Sequence, residues 1–149
     1  MKIVAIIVVL LVVLFAILLV FQNMKVPTHL GHDSGKLAPM PSTPNAVSSQ
    51  AEQESKKVMP LSYKESTEQT MAAVVKVLEQ MGGNDIQTQE GSYVYTIFTT
   101  PTMRFHDDVE IFLDDDAEVV HFRSQSRAGK SDLGANRKRY EQFSELYSK

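Results

Sequence analysis

The chain has 149 residues, a formal net charge of −3, and neither cysteine nor tryptophan. Without cysteine it can build no disulfide framework, thiolate nucleophile or cysteine-based metal site. Its basic residues are interleaved with carboxylates and form no continuous stripe, so no nucleic-acid partner is expected.

From Ile3 to Phe21 the chain runs 19 residues with no charge, no glycine and no proline. As a helix this run spans roughly 28 Å, close to the hydrocarbon thickness of a bilayer, which predicts a membrane as partner through residues 3–21. Met1-Lys2 resembles the start of a signal peptide. However, the apolar run outlasts an ordinary signal core, and it exits into Phe21-Gln22-Asn23-Met24-Lys25, which has no small-x-small cleavage site. The expectation is an uncleaved anchor over residues 1–24. Lys2 on one side is set against Lys25 and Lys36 on the other, so flanking charge discriminates weakly. The short N-terminal tail favours a domain outside the cytoplasm.

From about Gln22 to Lys57 the composition turns to Pro, Ser, Gly, Asn and Gln, with Pro27, Pro39, Pro41 and Pro44 excluding a helix. Residues 25–57 are therefore expected to be a flexible tether of roughly 30 to 35 Å, holding the domain near the bilayer without resting on it.

Residues 58–149 carry the folding pattern. Ser66 or Thr67 with Gln69 predicts a helix N-cap and capping box, and Met71, Val74, Val75, Leu78 and Met81 recur at helical spacing until Gly82-Gly83. Strands are predicted over 86–90, 93–100, 105–113 and 118–125. A last helix over 133–147 has the stripe Leu133, Tyr140, Phe143 and Tyr147. The fold class is α+β: after the apolar helix, a small, mostly antiparallel sheet of about four strands packed with two helices.

A hairpin centred between Asp115 and Asp116 would set Ile111 opposite Val120, Val109 opposite Phe122 and Asp107 opposite Ser124 on the core side. On the other side, Phe112 would face Val119, Glu110 would face His121, and Asp108 would face Arg123 as a cross-strand ion pair. Asp107 then shares a face with Val109 and Ile111, where an unpaired carboxylate is very costly. Its expected donors are Asn136 or Arg137 on the last helix, or Arg127 in the loop before it.

The segment Asp107-Asp108-Val109-Glu110-Ile111, followed by HFRSQSRAGKSDLGANRKR from His121 to Arg139, resembles the signature of the bacterial family called domain of unknown function 1499. The upstream stretch GKLAPMPSTPNAVSSQ, Gly35 to Gln50, also matches. Members commonly carry cysteine where this chain has Met40 and Ala46, so no role of those cysteines applies. The resemblance implies a bacterial, uncharacterised protein; with the anchor and the short tail read above, the expectation is a single-pass envelope protein of the inner membrane with a periplasmic domain. It implies nothing about activity.

The candidate cluster comprises Asp107, Asp108, Glu110, Arg123, Ser124, Ser126, Arg127, Ser131, Asp132, Asn136 and Arg137. Carboxylates with His121 nearby are residue types of acid-base or metal chemistry. Yet Asp107 and Asp108 project to opposite faces of a strand and cannot share a metal, so a structural brace is the better reading. No metal or other cofactor is expected: His29, His32 and His106 lie in the tether or at a strand end, and Asp114-Asp115-Asp116 reads as a solvated turn. Gly129-Lys130-Ser131 is no P-loop, since Ser124 stands where that motif needs glycine. Ser131 or Asp132 should cap the last helix, with Arg127, Gly129 and Lys130 near its positive end. Two readings follow: a membrane-anchored, non-catalytic binding or scaffolding module with a protein partner, or a small hydrolase or anion- or lipid-headgroup-binding protein using Asp107, Asp108, Arg123 and Arg127.

Overall fold

A computed structural model describes residues 1–149. Helix α1 (Lys2–Met24) has no buried residue, and its length and composition fit a membrane span and a signal sequence alike. Then come β1 (His32–Asp33), β2 (Lys36–Leu37), β3 (Ala46–Ser48), a single 3-10 turn at Glu54–Lys56, and β4 (Leu61–Ser62). Helix α2 (Thr67–Met81), strands β5 (Asn84–Glu90), β6 (Tyr93–Thr99), β7 (His106–Asp114) and β8 (Val119–Ser126), and helix α3 (Ala135–Tyr147) complete the chain. The fold is α+β, with a larger sheet than the expected four strands. Six strands form one antiparallel sheet in the order β3-β8-β7-β6-β5, and β4 lies on the same edge of β8 as β3.

Helix α2 starts where Ser66 Oγ accepts a bond from the Gln69 amide at 3.2 Å, and it stops at Gly82, whose φ of +63° suits glycine. The capping box closes on one side only, because the Gln69 side chain donates to Glu65 instead. Val74, Val77 and Leu78 of α2 and Tyr140, Phe143 and Tyr147 of α3 pack against Val94, Phe98, Val109, Ile111, Leu113, Val120 and Phe122 of the sheet. Both helices therefore lie on one face. Leu133, expected in the α3 stripe, is 90% exposed and precedes the helix, in the left-handed region at φ +52°.

The segment expected to be a free coil is ordered against the domain. Strand β3 pairs with β8, Val47 enters the core, and Asn45, Ser48, Ser49 and Lys56 are buried. Polar bonds add to the burial of Leu37, Ala46, Val47 and Ala51. The Leu37 amide donates to Gln50 Oε1 at 2.8 Å, Gln50 Nε2 donates to the Gly35 carbonyl, and the Lys56 ammonium donates to the Pro41 carbonyl. Composition does not show such bonds.

The β7–β8 register is two residues from the expected one: Leu113 faces Val120, Ile111 faces Phe122, Val109 faces Ser124 and Asp107 faces Ser126. The cause is a four-residue turn that lies one residue later than expected, over 115–118 instead of 114–117. Asp114 Oδ1 accepts the amides of Asp116 and Ala117, and Glu118 takes a φ of +52°. A shift of two residues leaves every side chain on its expected face but changes its partner.

Candidate functional site

Three carboxylates on β7 face three arginines. On the face away from the helices, register places Phe112 opposite His121, Glu110 opposite Arg123 and Asp108 opposite Gln125. The cross-strand ion pair is therefore Glu110–Arg123, at 2.8 Å with both side chains essentially inaccessible, and not Asp108–Arg123. Glu110 Oε1 also accepts the Tyr93 hydroxyl and the Gly31 amide, each at 2.7 Å. Arg123 further donates to Gln125 and lies 3.2 Å from His29 Nε2, while its Nε is buried without a partner.

Asp108 is gripped by Arg127 through Nε at 2.9 Å and Nη2 at 2.7 Å, and it accepts the Tyr95 hydroxyl at 2.6 Å. Arg127 thus serves Asp108 and not Asp107, for which it is one of three candidate donors by sequence. The Asp108 bonds hold the Arg127 guanidinium above its usual pKa. Burial, reinforced by Glu110 and Asp108 respectively, pushes the Tyr93 and Tyr95 phenols upward. They remain donors at neutral pH.

Residues after α1 cover this polar face. His32 stacks on Phe112 with ring centres 4.3 Å apart and leans on Tyr93, Gly31 closes over Glu110, and His29 reaches Arg123. Asn23, at the end of α1, donates to the Arg104 carbonyl at 2.9 Å and accepts the His106 amide at 2.7 Å. His121 shares a bond with Ser49 Oγ at 3.0 Å and lies 3.7 Å from Asp114, not beside Glu110. Burial pushes His121 below its usual pKa, and Asp114 opposes that shift.

On the helix side, Asp107 is buried as expected, but its donor is Arg139, at 2.5 Å. Arg139 also donates to Ser124 Oγ at 3.0 Å and to Asn136 Oδ1 at 2.6 Å, and it lies over the Phe98 ring. Asn136, wholly buried, donates to the Asn45 carbonyl, Ser126 Oγ and Asp132. Asp132 accepts the amides of Asn136 at 2.8 Å and Gly134 at 3.1 Å, so it caps α3 and is spent there, while Ser131 accepts only the Leu133 amide. Arg137 turns away, to the carbonyls of Ser55 and Lys57. The expected single cluster is thus two, divided by the sheet: Asp108, Glu110, Arg123 and Arg127 on one side, and Asp107, Ser124, Ser126, Asp132 and Asn136 on the other.

Residues 36–146 match the family described as protein of unknown function, DUF1499. The chain belongs to that family. No curated protein matches it. The DUF1499 match begins within β2, so it takes in β3 and the ladder it makes with β8.

Sequence reasoning missed Arg139, Tyr93, Tyr95, Gln125 and His29. The tyrosines carried a signal, because Tyr93 and Tyr95 share alternation with each other on a strand adjoining β7. His29 carried none, because its place depends on how an irregular segment folds back. Chemically, the arrangement is closed. Asp107, Asp108 and Glu110 each already accept from a guanidinium, whereas Asp114, the last residue of β7, accepts the amides of Asp116 and Ala117 and lies 3.7 Å from His121.

Proposed function

We propose that this DUF1499 member is a membrane-anchored, non-catalytic binding or scaffolding domain, carried by α1 on the outer, periplasmic side of a bacterial inner membrane. The observation that carries this reading is the saturation of Asp108 and Glu110 by arginine and tyrosine donors under a covering segment. General acid-base catalysis needs a titratable group within reach of substrate, and these two are enclosed. Buried carboxylates bonded in this way serve instead to hold the sheet and the segment that covers it in one arrangement.

The test is the full chain, purified with α1, assayed against phosphoester, carboxylester, peptide and glycoside substrates. The expected result is no turnover by the wild type. Turnover that disappears in Asp108→Asn or Glu110→Gln while circular dichroism stays unchanged would assign a hydrolase to this cluster.

A further inference from the structure

We propose that the loops 100–105 and 127–134 form a face that docks on the anionic surface of the bilayer α1 enters. In it, Met103 and Leu133 sit at the headgroup boundary, and Lys25, Arg104 and Lys130 meet lipid phosphates. This rests on the anchored reading above and adds what the domain itself touches.

Position comes first. Asn23 lies two residues past Phe21, the end of the apolar run, which is about 3 Å along the helix. Its side chain holds the Arg104 carbonyl and the His106 amide, while Gln22 Oε1 accepts the Gly129 amide at 3.4 Å. A span that ends at Phe21 therefore brings both loops to headgroup depth.

Exposure agrees. Beyond Phe21, five large apolar side chains are exposed: Met24, Val26, Met59, Met103 and Leu133. All but Met59 lie at or just past the end of α1 or in these two loops. Leu133 is 90% and Met103 66% exposed, and Leu133 itself and Arg104, next to Met103, have φ of +52° and +55°. A strained backbone that presents a leucine to solvent points to a use for that leucine. Met and Leu beside cationic side chains are the composition of an interfacial anchor.

Charge agrees as well. Lys25, Arg104 and Lys130 are all exposed. The single carboxylate in either loop, Asp132, is occupied by the amides at the start of α3. The acidic turn Asp114-Asp115-Asp116 sits at the other end of the nine-residue β7, roughly 30 Å away. Lys25, Arg104 and Lys130 thus lie toward the lipid, and this acidic turn lies away from it.

The chain has no cysteine, so single labels can be placed without background. Met103→Cys, Leu133→Cys and Met59→Cys, the last as exposed as Met103, would be labelled with an environment-sensitive fluorophore. The full-length protein would be studied in phosphatidylcholine vesicles with and without phosphatidylglycerol. The expected result is several-fold stronger quenching by lipid-borne quenchers at 103 and 133 than at 59. Arg104→Gln with Lys130→Gln, or high salt, should shrink that contrast in the anionic vesicles. Equal quenching at all three sites, with residues 1–24 present by intact mass, overturns the docking face alone. Protection at 103 and 133 that rises with protein density but ignores the lipid quencher assigns the face to a second copy and overturns it too. An intact mass lacking residues 1–24 overturns the anchored reading, and this inference with it.

Discussion

Asp107 and Asp108 are neighbours in sequence but bind different arginines, because a strand sends successive side chains through opposite faces. Asp107→Ala and Arg139→Ala should each cost about 3 to 5 kcal/mol, since each leaves a buried charge without its partner. Arg137→Ala, which removes only bonds to exposed carbonyls, should cost about 1 kcal/mol. Chemical denaturation would check the ranking. A double-mutant cycle should find coupling between Asp107 and Arg139 but little between Asp107 and Arg127. His121 supplies a pH test. Its folded pKa lies below the ordinary value of about 6.5, so the stability it contributes is complete above that value and falls as pH drops through the lower folded pKa. His121→Gln should therefore flatten the loss of unfolding midpoint on acidification from neutral pH. Burial of Asp107 was legible from alternation alone. Its partner was not, because a long arginine flanking the α3 stripe reaches where spacing arguments do not follow it.

At the scale of elements, periodicity was legible and edges were not. The α2 boundaries and all four long strands follow from spacing and turn chemistry, because their apolar faces bury against one core. Strand β3 escaped notice: in three residues, Ala46-Val47-Ser48, it brings one large apolar side chain and gains order from ladder bonds to β8. A chain beginning at Val58 strips β8 of that pairing and uncovers Val47's place in the core. It should be recovered as aggregate, whereas a chain beginning at Lys25 should show the circular dichroism of a folded α+β domain. At the start of α2, Ser66→Ala should lower stability by about 1 kcal/mol, read from the thermal midpoint. Asp115 lies in the acidic turn yet ties Tyr63 and Thr67 to it by hydrogen bonds, so the turn is also a clamp.

At the scale of the whole molecule, α1 contributes nothing to the core and is joined to the domain through Gln22 and Asn23. A reporter active only outside the cytoplasm, fused after Lys149, should work, and activity of a cytoplasm-only reporter there would reverse the proposed topology. The sheet also bears on how the molecule finds its shape. Alternation of apolar and polar residues on β7 and β8 is satisfied equally well by hairpins two residues apart, since both bury the same side chains. In the competing hairpin Arg123 would lie opposite Asp108 and Glu110 opposite His121, so Glu110 would lose its facing guanidinium. The Glu110–Arg123 pair thus acts as a check digit on strand alignment: hydrophobic burial accepts either hairpin, and the facing guanidinium of Glu110 favours the one observed.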